Sequence, residues 1–280
     1  VNIYETKLAI IGRGTWPLKI KSSLEGNFQG LGVRVFSARE VIANAAVVHE
    51  SGFNAIWIAT QPSLQFRLLE NLSGISQTIV LEKPLGSNSA EIQRLIHCVT
   101  AHPFGVVAPS NPWSYETACM ETVELIKNEG LIKAKIEITR GGPNRRSYLS
   151  PVEDWIPHDL YLLGELFDSD AIAFTEISGN GETAVAKFFS EIFQTEITVN
   201  SGFTKERVAE IVYSKDSKVI KTNLLSGRIL IDGIEHSFQA KDTHDAISRN
   251  YLDTKNWGKR RLINAATLQS EVFSSLEKLK

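Results

Sequence analysis

The run Asp154-Trp155-Ile156-Pro157-His158 sets a carboxylate and an imidazole four residues apart. On a helix those two positions share one face. A carboxylate beside a histidine can orient the ring and stabilise its charged form, the pairing that general acid-base chemistry requires. Proline is tolerated in the first turn of a helix, so the expectation is that Pro157 lies there, with Asp154 near the N-cap. Taken alone, the pair reads as plain capping by Asp154, with His158 a satisfied core residue.

Two further groupings stand earlier in the chain. Glu82-Lys83-Pro84-Leu85-Gly86 follows the apolar run Thr78-Ile79-Val80-Leu81. If that run is a parallel strand, Lys83 stands at the carboxyl edge of a sheet, where ligands bind, and Pro84 stiffens the turn that aims its ammonium. Without further context the lysine also fits a structural or solvated role. Gly12-Arg13-Gly14-Thr15-Trp16-Pro17 directly follows Lys7-Leu8-Ala9-Ile10-Ile11. Glycines at the first two positions allow a tight turn and close approach of backbone to a pyrophosphate held by the amides of a helix N-terminus. Pro17 replaces the small third residue of that dinucleotide fingerprint and is compatible with a first helical turn.

The elements that must position these residues alternate. After the first strand come a helix over Trp16 to Leu24, a strand at Val33 to Phe36 and a helix over Ala38 to Ser51. A strand at Ala55 to Thr60, a helix from Ser63 to Leu72, the strand at Thr78 to Leu81, a helix over Ser89 to Thr100 and a strand at Phe104 to Ala108 follow. Short strands separated by helices imply right-handed crossovers and a doubly wound parallel sheet, the Rossmann arrangement. Beyond residue 115 the period changes. A helix near Tyr115 to Asn128 precedes six runs that alternate with period two: Lys133 to Thr139, Ala171 to Ser178, Ala184 to Phe189, Glu196 to Ser201, Arg207 to Ser214 and Arg228 to Ile234. Their alternation predicts a mostly antiparallel sheet, with helices on one face, including one over Pro151 to Phe167. The expected fold class is therefore α/β plus α+β. A Rossmann domain over 1–115 precedes a substrate and oligomerisation domain over 116–280, whose C-terminal helix packs back toward the first domain.

Composition bounds what this scaffold serves. Its 280 residues suit two domains and bury enough surface to need no disulfide or metal staple. Thirty Lys and Arg against 32 Asp and Glu, a net charge of -2, provide no broad cationic field, which disfavours nucleic acid and anionic membranes as partners. Cys98 and Cys119 are the two cysteines, with no close Cys/His cluster, so no metal is expected and a reducing, cytoplasmic setting is. No apolar run reaches the ~20 residues of a membrane span, and the first ten residues lack a signal-peptide pattern.

The residues after the second strand bear on the nucleotide. Phe36-Ser37-Ala38-Arg39 offers a hydroxyl and a guanidinium where an NAD site usually has a carboxylate for the ribose hydroxyls. With Arg13 able to add charge, this favours NADP over NAD. Capping by Ser37 with a solvated Arg39 is the alternative.

In combination, the glycine turn, Ala59-Thr60-Gln61-Pro62 after the third strand, Glu82-Lys83-Pro84 after the fourth and Asp154-x-x-x-His158 resemble the glucose-fructose oxidoreductase, inositol dehydrogenase and MocA (Gfo/Idh/MocA) family over nearly the whole chain. The resemblance implies an NAD(P)-dependent oxidoreductase in which Lys83, Asp154 and His158 form the catalytic set and Lys83-Pro84 is a cis bond. It implies a cofactor held by Gly12, Arg13, Gly14, Thr15, Trp16, Ser37, Arg39, Thr60, Gln61, Pro62, Glu82 and Lys83. It also implies a homo-dimer or homo-tetramer formed through the antiparallel sheet. Asn111, Trp113, Tyr161 and the loop carrying Arg145 and Arg146 are expected to line the substrate side, and the paired arginines hint at an anionic substrate, although an exposed basic loop reads as well.

This sequence departs from the family pattern at Gln65, where a histidine is usual, at Asn111-Pro112-Trp113 in place of Asn-x-Arg, and at Tyr161, where an acid often stands. These departures leave the chemistry intact and put a polyol substrate in doubt. The expected reaction is hydride transfer between nicotinamide and a hydroxyl or carbonyl carbon of a sugar, sugar acid or nucleotide sugar. Reduction of an imine or a tetrapyrrole, or a non-catalytic nucleotide-binding role, are the alternatives.

Overall fold

The structure is a computed structural model that describes residues 7–49, 51–73, 77–102, 104–143, 146, 148–167, 171–238, 243–253 and 259–279. The first strands and helices alternate as β1 (Lys7–Ile11), α1 (Thr15–Asn27), β2 (Gly32–Phe36), α2 (Ala38–Ala43), α3 (Ala46–His49) and β3 (Ala55–Ile58). They continue with α4 (Pro62–Asn71), β4 (Thr78–Glu82), α5 (Ser89–Ala101) and β5 (Val106–Ser110). All five strands are parallel, in the order β2-β1-β3-β4-β5. Every residue of β3 is buried, as a strand with both faces covered requires. The order reverses between β1 and β3, and such a switch point opens a crevice at the carboxyl ends of the strands.

Where one helix is expected over Ala38 to Ser51 there are two. Asn44 takes an extended conformation at the end of α2, and its Oδ1 accepts from the amide of Ala46 at 3.1 Å, so the backbone is satisfied by a side chain and restarts as α3.

A short 3-10 helix (Pro112–Tyr115) leads to α6 (Thr117–Glu129), β6 (Lys135–Gly142) and α7 (Pro151–Leu166). Then come β7 (Ala173–Gly179), β8 (Thr183–Ser190), β9 (Thr195–Phe203), β10 (Val208–Lys215), β11 (Lys218–Asn223), β12 (Arg228–Ile231) and β13 (Ile234–Ser237). Helices α8 (Thr243–Asp253) and α9 (Lys259–Glu277) follow. The eight strands form one sheet in the order β13-β12-β11-β10-β6-β9-β8-β7, antiparallel except for the β6-β9 pair. The expected run from Arg228 to Ile234 breaks at Asp232-Gly233, whose φ of 50° and 84° make the two-residue turn of a tight hairpin. β11 has no counterpart among the six expected runs, because only Ile220 and Thr222 of its six residues are buried, which leaves a weak apolar alternation.

The chain divides into two compact units, Val1–Pro112 with Thr243–Thr267, and Trp113–Asp242 with Leu268–Lys280. In the first, Ile247 of α8 joins Leu8, Ile10, Ile20, Leu24, Trp57 and Val80 in one apolar core. In the second, α7 packs on β6 and β9 and is buried on nearly every side. The opposite face of that sheet carries cross-strand ion pairs, Lys135 with Glu196, Lys187 with Glu176 and Lys221 with Glu210.

One expectation is corrected in α7. Pro157 lies inside the helix instead of in its first turn. Pro151 already occupies the first turn, and Ser150 and Glu153 close a capping box that fixes the start there. Pro157 therefore costs the helix a hydrogen bond to the carbonyl of Glu153. No helix among the described residues is long and apolar enough to cross a membrane.

Candidate active site

The turn after β1 is shaped by two glycines with different tasks. Gly12, at φ 151°, is buried, and a Cβ there would stand 2.1 Å from the carbonyl oxygen of Ala59 at the end of β3. Its glycine is demanded by the close passage of the two strand ends. Gly14, at φ 152°, is exposed, and a Cβ there would meet nothing within 4 Å. Behind it, α1 has no side-chain cap and no acidic residue in its first turn. Uncapped amides, the positive end of a helix of 13 residues and open space beside a glycine fit a pyrophosphate. Arg13, Gly14 and Thr15 are exposed there, with Trp16 half-buried.

At the end of β2, Ser37 caps α2. Its backbone N–H and hydroxyl donate to Glu40 Oε2 at 2.7 and 2.6 Å, and Arg13 Nη2 stands 3.3 Å from the same oxygen. Glu40 thus brings to the strand end a carboxylate that Phe36-Ser37-Ala38-Arg39 does not show. The Ser37 hydroxyl and backbone amide, followed by the Arg13 charge, hold its pKa below the ordinary carboxylate range. Arg39 is exposed.

At the end of β4, Lys83-Pro84 is cis and Lys83 is half-buried. Glu82 beside it is buried, and Trp57 Nε1 donates to its Oε1 at 2.9 Å. Gln65, fully buried in the first turns of α4, donates from Nε2 to the carbonyls of Glu82 at 2.6 Å and Pro84 at 2.9 Å. Two residues of α8 brace the same edge: the Tyr251 ring stacks on Trp57 at 6.2 Å, and Asn250 Oδ1 accepts from the amide of Asn111 at 3.1 Å.

Desolvation pushes the Glu82 carboxyl above its ordinary 4.5, with Ser110 and Trp57 pulling part of the way back. A carboxyl raised in the folded state contributes stability below its ordinary pKa that is lost as pH rises through the folded pKa. Glu82→Gln is therefore expected to raise the thermal midpoint near about pH 7, with the gain shrinking toward zero near about pH 4. A gain of equal size at both pH values would assign it to packing instead.

The second unit carries the expected acid-base pair on α7. Asp154 and His158 are buried one turn apart, and Asp154 Oδ1 pairs with Arg146 Nη1 at 3.1 Å. His158 lies between two indoles, with ring centroids 5.7 Å from Trp113 and 6.0 Å from Trp155. Trp155 lies over Gly142 of β6, where a Cβ would come within 2.6 Å of its ring. The next residue, Asp159, pairs with Arg140 of β6 through Nε at 2.5 Å, both being essentially buried, and the Arg140 guanidinium stands 4.6 Å from the Trp113 ring. Arg140 and Asp159 are not among the site residues expected from the sequence. The available signal was Arg140 itself, a charge in phase with Ile136 and Ile138 on the inward face of β6.

In the first unit, the structure sets Gly12 against Ala59 and gathers Glu82, Lys83 and Gln65 in one turn. In the second it gathers Asp154, His158, Trp113 and Arg146. Arg146, expected to face substrate, is engaged by Asp154. Tyr161 is buried three residues after His158, Asn111 is buried at the end of β5, and Thr60, Gln61 and Pro62 form the turn into α4. Arg145 lies outside the described residues. Among the described residues no group of three or more His, Cys, Asp or Glu side chains could hold a metal ion.

No protein-family model and no curated protein matches the chain by sequence. Solved structures do match it. UDP-N-acetylglucosamine 3-dehydrogenase GnnA from Acidithiobacillus ferrooxidans is similar with a TM-score of 0.72 over 98% of both chains, at 15% identity. A Gfo/Idh/MocA family oxidoreductase from Vibrio cholerae is similar with a TM-score of 0.71 at 13% identity, over 98% of this chain and 99% of that one. The chain has the Gfo/Idh/MocA oxidoreductase fold. The same fold is present in scyllo-inositol dehydrogenase from Lactobacillus casei, solved with NAD(H) and scyllo-inositol, at a TM-score of 0.67 and 9% identity over 98% and 96% of the two chains. At these identities what the Gfo/Idh/MocA structures share with this chain is the architecture.

Proposed function

We propose that the protein is an NAD(P)-dependent oxidoreductase that transfers a hydride between the nicotinamide and a hydroxyl or carbonyl carbon of a sugar, sugar acid or nucleotide sugar. The observation that carries this reading is the uncapped N-terminus of α1 behind Gly12 and Gly14, at the switch point of a parallel sheet. The α1 amides would hold the pyrophosphate, with Thr15 and Trp16 beside it and Arg13 on the ribose side. Ser37 and Arg39 would meet the adenosine ribose, and Thr60, Gln61, Pro62, Glu82 and Lys83 would line the crevice toward the reacting ring. When bound, that ring supplies or accepts the hydride.

The chain's own residues do the rest. His158 takes the proton from a substrate hydroxyl, or returns it to a carbonyl oxygen in the reverse direction. Lys83 holds and polarises that oxygen through its ammonium. Asp154, its charge balanced by Arg146, orients His158 and accepts from a neighbouring substrate hydroxyl. Trp113, Tyr161 and Asn111 complete the substrate side.

NADP is the favoured cofactor in this reading, because Arg13 and Arg39 both stand near the end of β2, whereas Glu40 opposes a 2′-phosphate and engages Arg13. Glu40→Gln keeps the shape and the capping box, frees Arg13 and removes the opposing charge. It is expected to raise NADPH affinity relative to NADH by about tenfold in fluorescence titrations, the worth of one charge-assisted hydrogen bond. An unchanged ratio would remove Arg13 and Glu40 from the ribose site.

The function itself is tested by screening sugars, sugar acids and nucleotide sugars for NAD(P)H absorbance change. Turnover by the wild type and its loss in His158→Ala is the expected result. Tight cofactor binding with no turnover on any hydroxyl or carbonyl compound would favour a non-catalytic nucleotide-binding protein. Assembly into a dimer or tetramer through the outer sheet face belongs to the same proposal and is read by light scattering.

A further inference from the structure

We infer that Gln65 is a positioning residue that holds the Lys83 turn from both sides. The inference rests on the reading of Lys83 as the residue that holds the reacting oxygen. An amide nitrogen carries two hydrogens, and Gln65 Nε2 donates to two carbonyls that bracket Lys83, those of Glu82 at 2.6 Å and Pro84 at 2.9 Å. The backbone on either side of the lysine is thereby tied to one side chain. That side chain projects from the first turns of α4, which is seated by buried Pro62, Leu68 and Leu69.

Packing alone does not account for the residue. Gln65 is fully buried, and its Oε1 finds no hydrogen-bond partner among the described residues. A leucine or methionine would fill the same space without burying an amide whose oxygen is left unsatisfied. The two bonds to the Lys83 turn are what the amide provides, and they set the base from which the lysine side chain extends.

The test reads the lysine without a substrate. Wild-type protein and Gln65→Met, which keeps length and removes both donors, are treated with sulfosuccinimidyl acetate, and the acylation rate of each lysine is followed by peptide mass spectrometry. Lys83 is expected to acylate faster in the variant by at least about threefold, the population factor of one ordinary hydrogen bond, while Lys187, Lys218 and Lys221 keep their wild-type rates. A lower thermal midpoint with the Lys83 rate unchanged would mean that Gln65 is merely structural, and would overturn the inference.

If Gln65→Met does not fold, Gln65→Glu serves. Protonated, it can donate to one carbonyl; ionised, it opposes both, so Lys83 acylation should gain a pH-dependent step absent from the wild type, and a profile identical to the wild type would overturn the inference. Acylation is blind to turnover. Should Lys83→Ala leave turnover intact, the role of Lys83 fails while the measured effect of Gln65 on the turn stands.

Discussion

His158→Ala is expected to lower kcat by about 10²- to 10⁴-fold, the usual contribution of a positioned general acid-base group, while NADPH affinity stays within about twofold. The asymmetry follows from where the residues sit in the chain. The glycine turn, the uncapped α1 and the Ser37-Glu40 cap all belong to the first compact unit, and His158 belongs to the second. Removing the imidazole also leaves a small void between Trp113 and Trp155, which packing can share because both rings keep other partners, Arg140 for Trp113 and Arg207 for Trp155. Steady-state kinetics with the substrate found by screening checks the loss. Added imidazole should restore part of the rate if a proton is what His158 moves. Lys83→Ala should cost about 10²- to 10³-fold, with no recovery from imidazole. Turnover at the wild-type level in either variant would remove that residue from the catalytic set.

Much of this architecture is legible in the sequence because the physics that makes it is local. Four- to five-residue apolar runs between amphipathic stretches can be satisfied by a buried parallel sheet, and the change to period two after residue 115 marks a sheet with one wet face. The misses occur where a side chain or a turn competes with the period. Asn44 bonds the amide of Ala46 and splits one helix into two, and Pro151 with its capping box starts α7 early enough to leave Pro157 inside it. The candidate site divides in the same way. Gly12, Lys83, Asp154 and His158 stand in short motifs whose spacing carries meaning. Glu40, Gln65 and the Arg140-Asp159 pair act through partners 3 to 27 residues away in the chain, and residue type alone does not reveal such partners.

Asp159→Ala is expected to destabilise the second unit by about 3–5 kcal/mol, because it leaves the Arg140 guanidinium charged and buried without its carboxylate. Neither partner can recover hydration in place, since Arg140 is 2% and Asp159 0% exposed. The double variant Arg140→Met, Asp159→Leu removes both desolvation costs at once and should recover most of that loss, since apolar replacements of buried ion pairs are often neutral or stabilising. Its shortfall from the wild type should be about 0.5–2 kcal/mol, the worth of the guanidinium against the face of Trp113. Urea denaturation of the wild type, Arg140→Met, Asp159→Leu and the double variant completes the cycle. Additive losses would mean that the two charges do not act as a pair, whereas strong non-additivity would assign the stability of the α7-β6 contact to their mutual neutralisation. The pair is thus read as a requirement set by burial: once Arg140 faces inward from β6, α7 must supply an acid opposite it, and Asp159 is that acid.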